Sequence, residues 1–261
     1  MTTSRKKLTD KTKLYRIMPL ERFLEMLYEH KNTLISPSLW DDPFEILFDE
    51  ELIEKINKRS KIPTNAPVYN LRYEDWYGQS WSCIKESDSL WRAYTSGKKQ
   101  RCVKIETTVK KLIASTKDIH NGETFILKII DYGDIEDGSF LENADNIFDI
   151  YKNIVDESML LPCSFLFAKR RAFQYENEVR LIAHAPNNKK GRVYEYDTNV
   201  VEFIDNVELD PWTPKESVEA IKKAIQACVI NEKITTKIKV SHSVLYDKSE
   251  LIDKLLKSIY E

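Results

Sequence analysis

The 261-residue chain carries only six glycines, Gly78, Gly97, Gly122, Gly133, Gly138 and Gly191, and no two of them stand at i and i+2. Average usage would give about 18. A dinucleotide-binding βαβ turn needs closely spaced glycines so that the backbone can approach a pyrophosphate, and that pattern is absent. Gly133 and Gly138 have the outer spacing of a phosphate-binding P-loop, but Ser139 follows where the lysine belongs, so no ammonium is placed to meet a phosphate. A nucleotide bound by this chain must be gripped by side chains and by the ends of strands and helices.

Strand and helix periods are mixed without regular βα alternation, which argues for an α+β fold, a mixed central β-sheet flanked by helices. The patterns predict strands over 13–18, 79–84, 101–106, 124–132, 178–183, 192–196, 201–209 and 236–241. Leu20, Phe23, Leu24 and Leu27 recur at helical spacing after Pro19, and further helices are expected over 216–228 and 248–259. Asp88 is placed to cap a short helix bearing Trp91 and Tyr94, and Thr107 to cap another. A helix is expected from the Trp40–Glu45 corner to about Lys58, and a polar loop over 60–77, with Pro63 and Pro67, is a candidate lid. The helical period over 146–173 is broken by Pro162, and Lys169-Arg170-Arg171 is expected to close it, where cations suit a helix C-terminus. The expected organisation is a flexible N-terminus over 1–12 and a single α+β domain over 13–261, with a helical insertion around 144–173.

Forty basic side chains against forty-two acidic ones give a net charge of −2, which excludes a protein that holds nucleic acid by bulk charge. Cys83, Cys102, Cys163 and Cys228 fit no zinc or redox spacing and read as reduced, packed thiols, and the four scattered histidines make no metal motif. The basic, polar start lacks the apolar stretch of a signal peptide. The most apolar run, Met159–Ala168, is about half a membrane span. A soluble, cytoplasmic protein with no membrane partner is expected.

Five features can carry chemistry: Tyr15-Arg16; the corner Trp40-Asp41-Asp42-Pro43-Phe44-Glu45; Ser80-Trp81-Ser82 leading to Trp91 and Tyr94; the run Lys169-Arg170-Arg171; and Tyr175-Glu176-Asn177-Glu178-Val179-Arg180. If Glu176 and Glu178 are extended they project from one face, with Val179 and Leu181 toward the core. Two such carboxylates push one pKa up unless cations compensate. On that register Arg180 joins Asn177's side only across a bulge. Each feature also has a plain structural use. The glutamates can be a solvated edge-strand pair, and Arg16 a salt bridge to the acidic corner. Asp42 can cap a helix with Pro43 at its first position, Trp91 and Tyr94 can be core, and the basic run a solvated helix end. Asp41, Asp42, Glu45, Glu176 and Glu178 are also oxygen ligands suited to Mg²⁺, as in a metal-dependent nuclease.

Taken together, the Leu-Tyr-Arg start, the Trp-x-Asp-Pro-Phe-Glu corner, the Ser-x-Ser-Cys strand end, Trp-x-x-Tyr, and Lys169 followed by Glu176, Glu178 and Arg180 resemble the DUF2971 family of uncharacterised bacterial proteins. The resemblance spans about Lys13 to Leu209. The chain departs from that family at Gln100-Arg101-Cys102, where a glycine is usual, and at Val179, where a tryptophan is frequent. The order of Arg16, Ser80 or Ser82, and Glu176-x-Glu178 is also similar to the Arg-Ser-Glu class of ADP-ribosyltransferases. That resemblance implies NAD as substrate, with Arg16 at its phosphates or ribose and Ser80 or Ser82 at the nicotinamide-side ribose. It makes Glu178 the catalytic carboxylate and Glu176 the group that orients the acceptor. Tyr15, Trp91 and Tyr94 are further candidate NAD contacts. Asp42, Glu45, Lys169 and Arg180 serve substrate or structure, and no metal is expected. The function so implied is ADP-ribosyl transfer to a protein or nucleic-acid acceptor, or NAD hydrolysis, in a toxin or phage-defence effector. The alternatives are a non-catalytic module binding NAD, another nucleotide or a protein, and the Mg²⁺-dependent nuclease.

Overall fold

One seven-residue run, Glu178–His184, is buried at every position. Such a strand must be covered on both faces and paired on both edges. The computed structural model describes residues 7–45, 73, 75–117, 119, 122–134, 136–139, 165–189, 191–229 and 238–260. In chain order the strands are β1 (Lys13–Pro19), β2 (Lys31–Ile35), β3 (Trp76–Ser82), β4 (Cys102–Thr108), β5 (Thr124–Ile129) and β6 (Asp131–Gly133). After these come β7 (Ala168–Arg170), β8 (Glu178–His184), β9 (Val193–Asp197), β10 (Asn206–Leu209) and β11 (Val240–His242). The helices are α1 (Leu20–Glu29), α2 (Asp88–Tyr94), α3 (Val109–Ala114), α4 (Val200–Phe203), α5 (Lys215–Val229) and α6 (Ser249–Tyr260). Short 3₁₀ turns occupy Pro37–Leu39, Pro43–Glu45 and Arg171–Glu176. The fold is α+β with mixed pairing, as expected.

The chain divides into two compact units. The first comprises Met1–Leu14, Lys31–Ile84 and Thr108–Asn199. Its sheet runs β9-β2-β3-β8-β5, antiparallel throughout. A second, parallel pair joins β6 to β7. Buried polar groups inside this unit are matched to one another. Gln79 donates to Asn32 Oδ1 at 2.7 Å, Asn32 donates to the Tyr196 hydroxyl at 2.8 Å, and the Trp81 indole donates to Gln79 at 2.8 Å. Such satisfied networks fix which strands pair.

The second unit comprises Tyr15–His30, Lys85–Thr107 and Val200–Glu261. Its strands run β11-β10-β4-β1, with β10 parallel to β11 and antiparallel to β4. Phe23, Met26 and Leu27 form the buried stripe of α1, which packs against α5. The helix ends at His30, in the left-handed region at φ 54°. Among the described residues no helix is long and apolar enough to cross a membrane.

At Gly78 the space of a missing side chain is filled by neighbours. A Cβ there would stand 2.3 Å from Trp40 Cζ2 and 3.0 Å from Ile182 Cδ1. The Trp40 ring therefore lies directly on the β3 backbone. We expect Gly78→Ala to destabilise the protein by about 1–3 kcal/mol, as overpacked cores do. Chemical denaturation checks this through a lowered midpoint at unchanged slope.

Several local expectations are corrected. The strand expected over 124–132 breaks at Ile130 into β5 and β6. The strand expected over 201–209 begins as the short helix α4. Ser87 rather than Asp88 caps α2, and Thr108 rather than Thr107 caps α3, each accepting from a backbone N–H three residues on. Lys169-Arg170-Arg171 does not close a helix: Lys169 and Arg170 lie in β7 and Arg171 opens a 3₁₀ turn. The expected lid over 60–77 falls largely outside the described residues, as do the helix toward Lys58, Cys163 and most of the insertion expected around 144–173.

Candidate functional site

The site grows from the start of β8. Arg171–Glu176 forms a 3₁₀ turn with no buried residue, and Asn177 reverses it in the left-handed region at φ 43°. Asparagine tolerates that conformation better than most residues. Its carbonyl accepts from Cys83 N–H, and Glu178 N–H donates to the Tyr132 hydroxyl at 2.8 Å. Ser82 donates to the Glu176 carbonyl at 2.6 Å and accepts from Ile84 N–H, so its hydroxyl holds the corner together. Glu176 and Glu178 are therefore not two positions of one strand, as the extended reading expected. They flank a turn and reach the same point from different backbone directions.

That point is Lys169 Nζ. It lies 2.7 Å from Glu176 Oε2, 3.1 Å from Glu178 Oε2 and 3.2 Å from Glu45 Oε1. Arg180 stands two residues after Glu178, hence on the same face of β8, and the unbroken register leaves no bulge to carry it to Asn177's side. Its Nε meets Glu178 Oε1 at 2.8 Å, one Nη meets Glu45 Oε1 at 3.1 Å, and the other donates to the Leu166 carbonyl at 2.7 Å. One planar fork thus serves three acceptors, a task lysine cannot perform. The Arg180 guanidinium also lies 4.3 Å from the Trp40 ring centroid. Arg170 pairs with Asp42 through two contacts, at 3.0 and 3.2 Å, and stacks 4.2 Å from the Phe44 centroid. Asp42 also accepts from Phe44 N–H, as a cap would. Residues singled out separately in the sequence, Asp42, Glu45, Ser80, Ser82, Lys169, Glu176, Glu178 and Arg180, thereby meet in one unit.

Burial decides the electrostatics. Only 2% of the Glu178 side chain and 1% of Arg180 are exposed, so the solvated edge-strand reading is overturned: β8 has a partner on each side. Burial pushes Glu178 upward. The Arg180 and Lys169 charges, with hydrogen bonds from Arg180 and Ser80, outweigh it and hold the carboxyl at about 2. Glu176 moves the other way. Burial raises it by more than Lys169 lowers it, and Glu178 and Glu45 add to the rise. Lys169 and Arg180, despite burial, are held firmly charged by the glutamates. Three carboxylates meet two cations here.

Of the remaining candidates, Tyr15, Arg16, Trp91 and Tyr94 belong to the second unit. Tyr15 is buried and Arg16 half-buried, while Tyr94 is exposed. Trp91 is wholly buried and presents no open face for stacking. Its indole donates to Glu86 at 2.6 Å, and Lys104 Nζ lies 5.2 Å from its ring centroid. Lys104 also pairs with Glu208 at 2.9 Å and Glu86 at 3.3 Å. This second buried ion cluster escaped sequence reasoning. Its one signal is a lysine set between Val103 and Ile105 in an apolar strand. Tyr132 and Phe173 are likewise absent from the sequence reading, since ring contacts leave no spacing rule. Among the described residues no group of three or more His, Cys, Asp or Glu is arranged to hold a metal. Lys169 Nζ takes the position at which these carboxylates would bridge one.

No family model and no curated protein matches the chain, so the resemblance to the DUF2971 family rests on the motif residues themselves. Among solved structures the chain is similar to Thermus sp. 2.9 DarT in complex with NAD+, at 10% identity and TM-score 0.40, over 91% of this chain and 98% of that one. Thermus sp. 2.9 DarT in complex with ADP-ribosylated ssDNA aligns at 11% identity and TM-score 0.38, over 92% and 98%.

Proposed function

We propose that the Glu176–Glu178 pair cleaves the nicotinamide–ribose bond of NAD and passes ADP-ribose to an acceptor or to water, in a protein of DUF2971 type. One observation carries the reading. Two carboxylates share one ammonium, and their environments drive their pKa values apart, Glu178 down to about 2 and Glu176 upward. Carboxyl groups so divided are the usual equipment for cleaving glycosidic bonds. The bond breaks through an oxocarbenium-like state whose positive charge exists only in passing, and a fixed carboxylate beside it stabilises that state above the ground state. The reading stands on the carboxylate pair, and NAD+ is the molecule in complex with DarT in one of the structures above.

A second reading has an observation of its own. Glu178, Glu45 and Asp42 are each matched by buried or stacked cations, as in a structural charge network of a binding module. Incubation with NAD labelled on its adenine side separates the two. Label appearing on macromolecules of an added lysate, or as free ADP-ribose, supports the enzyme. Label recovered wholly as NAD under both conditions overturns it and leaves the network.

A further inference from the structure

We infer that Glu176, not Glu178, is the carboxylate that touches the substrate, and that Glu178 is a positioning residue acting through Lys169 and Arg180. This rests on the NAD reading above. It also reverses the roles that the ADP-ribosyltransferase resemblance implies.

The two glutamates differ in where the backbone puts them. Glu178 lies inside a strand that is buried at every position, and its oxygens are claimed by Arg180 at 2.8 Å and Lys169 at 3.1 Å, with Ser80 as a further donor. A ribose hydroxyl reaching it would have to displace one of these charge-assisted bonds inside the protein. Glu176 ends a turn with no buried residue, beside Tyr175, which is 47% exposed and hydrogen-bonded to it. Its side chain is 16% exposed against 2% for Glu178. Lys169, which also pairs with Glu178 and Glu45, holds the more exposed Glu176 carboxylate at 2.7 Å.

In the proposed step the bond between ribose C1 and the nicotinamide nitrogen breaks. Its electron pair goes to that nitrogen, neutralising the pyridinium. The acceptor, water in the hydrolytic case, adds at C1, and its proton passes to Glu176. The raised proton affinity of Glu176 suits this last role, since an ordinary carboxylate is a weaker base.

The test compares Glu176→Gln with wild type in nicotinamide release, with thermal melting as control. The expected result is a roughly 10²–10³-fold lower kcat, the scale of losing one transition-state contact, at little changed KM and melting temperature. Wild-type kcat should rise with pH through an ionisation above the ordinary glutamate range, and Glu176→Gln should lose that rise. Glu178→Gln is expected to lose stability and rate together. Glu176→Gln retaining wild-type kcat overturns the assignment, whether or not Glu178→Gln folds. Absence of nicotinamide release by wild type refutes the NAD reading instead, so the two failures are distinguishable.

Discussion

Replacing Arg180 by leucine is expected to destabilise the protein by about 3–5 kcal/mol, the range for removing one partner of a buried ion pair. The cause is what stays behind. Glu178 and Glu45 lose the cation between them, and the Leu166 carbonyl loses its donor. The Trp40 ring loses the guanidinium stacked on it. Arg180→Lys is expected to recover only part of this, because an ammonium cannot reach three acceptors in one plane. Urea unfolding measures both. A loss under about 1 kcal/mol for Arg180→Leu would mean that Lys169 alone compensates the glutamates, well below the range for breaking a buried pair.

The second large effect is a pH dependence. Glu178 is held at about 2 in the folded chain against 4.5 unperturbed, so its contribution to stability is complete above about pH 4.5 and is lost as pH falls toward about 2. At about 1.4 kcal/mol per pKa unit, that contribution is about 3 kcal/mol for a group this buried. Glu176 has the opposite sign. Its folded pKa is raised, so the stability it contributes is full below the unfolded value and disappears as pH rises through the folded one. Unfolding free energies of wild type and Glu178→Gln should therefore converge by about 3 kcal/mol between about pH 6 and pH 2. With Glu176→Gln the gap should change on the high side of the glutamate range instead. Parallel curves for wild type and Glu178→Gln would contradict the charged, buried assignment of Glu178.

Much of the site was legible because charged residues inside apolar patterns are conspicuous. Glu178 and Arg180 interrupt a strand, and Trp40–Glu45 concentrates acid and aromatic groups in six residues. What could not be read was the geometry joining them. The extended reading of Glu176-x-Glu178 failed because Asn177 takes a left-handed conformation, which one residue's identity permits but does not require. The basic run after Ala168 was misplaced because strands as short as β6 and β7 have too few residues to show a period. The break at Ile130 and the start of α4 were missed for a related reason: apolar runs of this length suit either helix or strand. The long-range pairs, Arg180 with Glu45 and Arg170 with Asp42, follow from strand order and have no counterpart in local spacing.

The most direct test of the central claim is a time course of nicotinamide release from NAD by the 261-residue chain. It should be run with and without a cell lysate as acceptor source, beside the double variant Glu176→Gln/Glu178→Gln. A carboxylate pair poised for glycosidic cleavage should give release by wild type well above the double variant in at least one condition. Equal release by wild type, variant and buffer in both would contradict it, and the Lys169–Arg180 cluster would then stand as a charge network that holds β7 and β8 to the Trp40–Glu45 corner.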